Sequence, residues 1–300
     1  MMYWTEEYHP KSLKKIVGNI EIIKKLKQMV DTKLQNLIIT GSSGVGKSSS
    51  IYSIIKEMNA EHIELNASDE RNISTIRTTI KTFAMKKSFS PKIIVLEEID
   101  NMPKASQHGI ASLMEKSNAH FILTCNDYDK IIENLTSRCM ILKFKTIEQE
   151  DIKNHLIKIS KDKNIKYNID VINVIAKRSE GDLRKAINTL QLMFFYSKEQ
   201  TLENLEICST EPSSVLIQNI ITSCLNKNLE KAILDLNIIL HDGYDCSDII
   251  SFLFKECCEM IMDDYLKINI LKKIGETHVT MVNESSKIQL YALLVELNNI

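Results

Sequence analysis

The sequence predicts an α/β fold built on a parallel sheet, followed by two all-helical units. Three observations predict it. Short apolar runs alternate with helical stretches through roughly the first 145 residues, one run ends in a Gly/Ser loop that opens a helix, and beyond Lys145 strand patterning gives way to 3.6-residue periodicity. Strands alternating with helices make βαβ units, whose crossovers require parallel pairing. The expected units are an α/β domain over 1–145, a helical unit over 146–205 and a second helical unit over 206–300.

Taken in order, residues 1–35 read as a polar arm with one helix, apolar at Ile20, Ile23, Leu26, Met29 and Val30. Residues 36–40 form a short apolar run, the mark of a buried strand, and a helix is expected over 47–58. A second strand covers 62–65, and Asn66-Ala67-Ser68-Asp69 supplies capping residues for a helix running to about Met85. Strands over 92–96, 120–125 and 140–144 alternate with helical stretches over 103–116 and 131–138. One helical group covers 148–203, with Ser179-Glu180-Gly181-Asp182 as turn and N-cap. Another covers 212–300, opened by Glu211-Pro212-Ser213-Ser214.

Composition narrows the classes of function. Hydrophobic residues make up 44% and charged residues 26%, an ordinary globular balance, and no apolar run is long enough for a transmembrane helix. The N-terminus reads as neither a signal peptide nor a transit peptide. A net charge of −1 excludes a polycation that coats nucleic acid indiscriminately. The seven cysteines form no Cys-x-x-Cys pair, which fits reduced thiols packed as small apolar residues.

The chemistry begins at Gly41-Ser42-Ser43-Gly44-Val45-Gly46-Lys47-Ser48, followed by Ser49, which meets every fixed position of G-x-x-x-x-G-K-[ST]. Glycines let successive backbone N–H groups curl toward phosphate oxygens at the positive end of the next helix. Lys47 is placed to reach the β/γ-phosphates, and the Ser48 hydroxyl to ligate Mg²⁺. The strand at 93–96 ends in Glu97-Glu98, at the edge where a parallel sheet presents ligands. Glu97 is expected at the metal and Glu98 where it polarises attacking water. Asn126 ends the next strand, an amide suited to orienting water near the γ-phosphate, and Arg184 follows Gly181-Asp182 in the second unit.

These pieces together resemble the small ATPase subunits of replication factor C, the sliding-clamp loader of the AAA+ superfamily. Trp4-Thr5-Glu6-Glu7-Tyr8-His9-Pro10 is similar to the family's W-x-E-K-Y-R-P box, and Ile16-Val17-Gly18-Asn19 to the VGN that follows it. Residues Glu64 to Arg71 resemble ELNASDDR, Ser137-Arg138-Cys139 is the SRC motif, and Gly181-Asp182-Leu183-Arg184 resembles GDMR. Gly243-Tyr244, Asp248-Ile249-Ile250, Tyr265-Leu266-Lys267 and residues 274–278 look most like the eukaryotic small subunit beside the large one.

The resemblance implies a nuclear clamp-loader subunit with a lid over ATP and a collar that joins subunits. It implies ATP and Mg²⁺ as cofactors, and a heteropentamer with other replication factor C subunits. The remaining partners it implies are the sliding clamp PCNA and primer–template DNA held by its phosphate backbone. By position, Thr5 and Val17 match adenine-pocket residues, Asn126 matches sensor 1 and Arg184 sensor 2. Arg138 matches the arginine finger that acts in trans on a neighbour's ATP. Arg71 and Arg77, with Lys81 a turn further on, match a DNA-backbone track.

Three departures qualify this. Glu97 stands where the family usually has Asp, His9 where it has Arg, and Ala111-Ser112 where it has two arginines. Glu97 and Ala111-Ser112 motivate a second expectation, a structural subunit that binds ATP with little hydrolysis of its own, against which intact Lys47, Ser48, Glu98 and Arg138 stand. A third, another AAA+ machine such as a Holliday-junction motor or an initiator, sits poorly with the SRC finger and the collar motifs.

Overall fold

The computed structural model describes residues 3–66, 73–86, 88–197, 200–208, 211–281 and 286–300, with the side chains of 73–77 outside that description. Two compact units divide the chain, Met1–Leu205 and Glu206–Ile300.

The first unit is built on a five-stranded parallel sheet in the order β2-β3-β4-β1-β5. The strands are β1 (Leu37–Thr40), β2 (Glu61–Asn66), β3 (Lys92–Glu97), β4 (His120–Cys125) and β5 (Met140–Lys143). Helices α3 (Lys47–Glu57), α4 (Ile73–Met85) and α5 (Lys104–Lys116) make the crossovers between successive strands. Because helices cover both faces, β1 is buried at every position and β3 at all but its last, the continuous apolar reading of a central parallel strand. β2, at the sheet edge, alternates between half-buried and exposed. Register sets Thr40 beside Cys125 and Asn66 beside Glu97, so the ends of β1, β3 and β4 meet along one edge.

Three expectations need correction. The arm is not polar throughout: α1 (Trp4–Glu7) and a 3₁₀ turn (Leu13–Lys15) bury Trp4 to 4% and Leu13 to 1% exposure. The Trp4 N–H donates to Gln191 Oε1 at 2.9 Å, and its ring lies 5.3 Å from that of Phe194. Isolated apolar residues carry no periodicity, so their burial against distant elements leaves no local pattern. Ile20 opens α2 (Ile20–Asp31) and stays 67% exposed, since the helix faces the core through Leu26 and Met29. The helical stretch at 131–138 shrinks to α6 (Glu133–Thr136), preceded by a 3₁₀ turn over Tyr128–Lys130.

Helices α7 (Gln149–Asp162), α8 (Ile169–Arg178) and α9 (Leu183–Tyr196) complete the first unit. Asp182 caps α9 by accepting from the Lys185 N–H at 2.9 Å, and the cap is a carboxylate at a helix N-terminus, where the dipole favours it. A short helix, α10 (Leu202–Cys208), straddles the division between the units.

The second unit comprises α11 (Ser214–Leu225), α12 (Leu229–His241), α13 (Cys246–Glu259), α14 (Asp264–Met281) and α15 (Lys287–Asn298). Its core is almost wholly aliphatic, around Ile220, Leu236, Leu253, Ile270 and Leu293. The cysteines are free; five are buried, and burial pushes the half-buried Cys139 thiol up to about 12. No helix among the described residues is long and apolar enough to cross a membrane.

Candidate nucleotide site

A cleft of about 400 Å³ opens in the first unit along the carboxyl edge of the sheet. Its floor is the loop between β1 and α3, which can curl because Gly44 (φ +65°) and Gly46 (φ +100°) occupy left-handed conformations that side chains disfavour. A Cβ on Gly44 would overlap the Asp182 carboxylate, and the Leu183 N–H donates to Gly44 O at 3.3 Å. The start of α9 therefore rests directly on the loop, a contact that bare Gly permits.

Lys47 projects from the first turn of α3. Its ammonium donates to Ser42 O at 3.1 Å, and also reaches Gly41 O and Asn126 Oδ1. Burial holds Lys47 below the ordinary lysine range, and Arg184 pushes the same way, while Cys125, Asp100 and Glu98 oppose. The Ser48 hydroxyl donates to Glu97 Oε1 at 2.8 Å. Glu97, one methylene longer than Asp, thus reaches the hydroxyl directly. A hydroxyl and a carboxylate side by side at a phosphate loop form the hard-oxygen donor set that Mg²⁺ takes. Ser49 Oγ lies 3.2 Å from His9 Nε2, and the His9 ring meets Tyr52 edge-on at 5.3 Å.

Glu98 holds φ +55°, a conformation that costs a non-glycine residue on the order of 1–3 kcal/mol and clusters at functional sites. Its N–H donates to Thr124 Oγ1 at 3.2 Å, and Asn101 Nδ2 donates to its Oε2 at 3.3 Å. Asp100 Oδ2 accepts from the Asn126 and Asp127 N–H groups at 3.1 and 3.0 Å. The strained turn is thereby tied to the end of β4. Gln107 on α5, 1% exposed, donates to Met102 O at 3.1 Å and Lys130 O at 3.2 Å and accepts from the Ile132 N–H at 3.0 Å.

The cleft brings together Thr5, Val17, Ser43, Gly44, Gly46, Lys47, Ser48, Ser49, Glu97, Glu98, Asn126 and Arg184 of the expected residues. Gly41 and Ser42 meet Lys47 through their carbonyls, and Val45 turns its side chain into the core. Arg138 is engaged elsewhere in this unit, with Glu115 and Asn134. Arg71 lies outside the described residues, Arg77 falls in α4 with its side chain outside them, and Lys81 is exposed on the same helix. Ala111 is buried in the core on α5, and Ser112 is exposed. Sequence reasoning missed Thr124, Gln107 and His155. His155 lines the cleft from α7, and burial, followed by Lys158, holds it below the ordinary histidine range.

Comparison with known proteins decides the family. Residues 37–147 match the ATPase family associated with various cellular activities (AAA). Residues 154–195 match the RCF1/5-like AAA+ ATPase lid domain, and residues 212–296 the replication factor C C-terminal domain. Replication factor C subunit 4 of Schizosaccharomyces pombe is 34% identical over 93% of this chain and 85% of its own length. The chain belongs to the replication factor C family. The small subunit of Methanococcus maripaludis is also 34% identical, over 98% of both chains, and subunit 4 of Saccharomyces cerevisiae is 32% identical over 99% and 96%. Eukaryotic and archaeal replication factor C relatives thus stand at equal distance. Among solved structures, the Thermotoga maritima RuvB Holliday junction branch migration motor matches with a TM-score of 0.57 at 16% identity, over 73% of this chain and 79% of that one. That likeness is one of AAA+ fold. The chain is a clamp-loader subunit with an AAA ATPase domain, which implies nucleotide binding and assembly with other replication factor C subunits.

Proposed function

We propose that this replication factor C subunit binds ATP with Mg²⁺ in the 41–49 loop cleft and hydrolyses it within the assembled clamp loader, loading PCNA onto primer–template DNA. One observation carries the reading: the Ser48–Glu97 contact at 2.8 Å stands beside Lys47 and Asn126, with Glu98 directly after Glu97 at the end of β3.

Backbone N–H groups of the loop and the Lys47 ammonium bind the triphosphate, on the positive end of α3. Ser48 and Glu97 would hold the cation, which when bound would neutralise charge developing in the reaction. Glu98 accepts hydrogen bonds from attacking water and takes up its proton, and Asn126 steadies the reacting end. Arg184 reaches the nucleotide from α9. Thr5 and Val17 contact the base. Arg138 serves the ATP of the neighbouring subunit, so that hydrolysis depends on assembly. Arg71, Arg77 and Lys81 follow the DNA phosphate backbone. Within the first unit, residues 1–145 act as ATPase domain and 146–205 as lid, and the second unit, 206–300, acts as collar. The 243–278 motifs favour the small-subunit place beside the large subunit, and with it a nuclear location.

Glu98→Gln in the reconstituted assembly tests the reading. DNA-stimulated ATP turnover should drop while nucleotide binding persists. Unchanged turnover would make this chain an ATP-binding structural subunit instead. Co-purification with the large subunit tests its place in the assembly.

A further inference from the structure

We infer that Glu115 is a positioning residue that fixes Arg138 in the orientation from which it serves the neighbouring subunit's ATP. The inference rests on the in-trans reading of Arg138 above. Arg138 follows α6, and its guanidinium is gripped on two sides. Nε donates to Glu115 Oε1 at 3.1 Å, and Nη2 reaches the same oxygen. Nη1 donates to Asn134 O at 2.7 Å, and also meets Asn134 Oδ1 and, at 3.4 Å, Ser137 Oγ. A planar group anchored along one edge and at the opposite nitrogen has lost the rotations about its last torsions. Nη2 carries two hydrogens and meets one acceptor among the described residues, which leaves a donor for an outside anion.

The anchor itself is rigid. Glu115 lies in the last turn of α5, whose Gln107 is bonded at two backbone points, Lys130 O and the Ile132 N–H, to the segment leading into α6. Folding stability does not account for the pair. Its side chains are 32% and 52% exposed, and ion pairs of that exposure contribute little to folding. Orientation is where the contact has leverage, because misplacing a reacting group by about 1 Å can cost about 100-fold in rate.

The experiment uses the assembly reconstituted with its partner subunits and reads DNA-stimulated ATP turnover. Arg138→Ala, Glu115→Ala, Glu115→Asp and the Glu115→Ala/Arg138→Ala pair are compared. Glu115→Ala should reproduce most of the loss caused by Arg138→Ala, about tenfold or more at the neighbouring site. KM for ATP, the thermal midpoint and co-purification of the subunits should not move. Glu115→Asp should retain more rate than Glu115→Ala, and the pair should be no worse than Arg138→Ala alone. If Arg138→Ala lowers turnover and Glu115→Ala does not, the positioning role is overturned and the finger stands. An equal loss from Glu115→Ala in the Arg138→Ala background also overturns it. If Arg138→Ala changes nothing, the finger reading itself fails.

Discussion

The two units solve opposite problems, one with helices packed on a sheet and the other with helices alone. Residues 1–205 carry 31 Lys and Arg against 25 Asp and Glu, including all five arginines, whereas residues 206–300 carry 7 against 14. The contrast continues inside. Among the described residues the first unit buries Thr40, Ser50, Lys92, Gln107, Thr124 and further polar side chains, while the second buries Ser223 and Glu256. Buried polar groups must be hydrogen-bonded to be tolerated, and those bonds are directional. The first unit therefore uses its interior to aim groups at a cleft. The second uses its interior to hold five helices together. A near-neutral whole chain conceals a cationic first unit joined to an anionic second one, so the net positive charge that favours phosphates lies in the first.

The sharpest way to break that division is to alter one residue in each unit and ask whether effects cross over. Glu98→Gln should lower turnover in the assembly by about 10²–10⁴-fold, the range for removing a general base, while equilibrium binding of a fluorescent ATP analogue is retained. Leu253→Ala, at the centre of the collar core, should leave ATP binding alone and destabilise the collar by about 3 kcal/mol, the usual cost of an aliphatic cavity. Hydrogen exchange on the full chain separates the two, since protection should be lost in 206–300 and kept in the sheet. A collar cavity that weakened ATP binding as much as it loosened the collar would overturn the division.

Legibility follows the same line. The 41–49 loop, the Glu97-Glu98 strand end and the Asp182 cap were readable because each works through its immediate neighbours in sequence, where spacing is the mechanism. Thr124 and Gln107 were not, because each acts on backbone more than twenty residues away and leaves no local pattern. His155 reads in sequence as one polar position on an amphipathic helix; only packing turns it toward the cleft. Trp4 and Leu13 failed as a polar arm for the same reason. In the second unit Ile217, Ile220, Ile221, Cys224 and Leu225 recur at helical spacing, and the first four are buried while Leu225 packs partly buried against them.

A smaller effect sharpens the boundary within the first unit. Gly44→Ala adds a methyl group where the Asp182 carboxylate sits and forces a side chain into φ +65°. The start of α9 should lift from the loop, with ATP affinity falling by about tenfold, or about 1.4 kcal/mol. Titration with the same ATP analogue measures it. A substitution to Ala at Gly275 in the collar, where a Cβ meets nothing within 4 Å, is the matched control and should leave ATP affinity as it is.

The smallest effect is a pH dependence, and its sign distinguishes the empty loop from the phosphate-binding one. Burial holds Lys47 below 10.5 in the folded chain, so the unfolded chain takes up that proton more readily. Without nucleotide, the charged Lys47 opposes folding, and stability contributed at this residue rises as pH climbs from its folded value toward its unfolded one. ATP binding runs the other way, because the phosphates need the ammonium, and affinity should fade as pH rises through that same lowered value. Lys47→Arg places a permanently charged guanidinium at the position, which should remove the alkaline fall in affinity even if binding at neutral pH is weaker. Titrations of the ATP analogue at stepped pH values, with and without the substitution, read both limbs. An alkaline fall that persists unchanged in Lys47→Arg would assign the titration to another group in the cleft and leave Lys47 as a fixed charge.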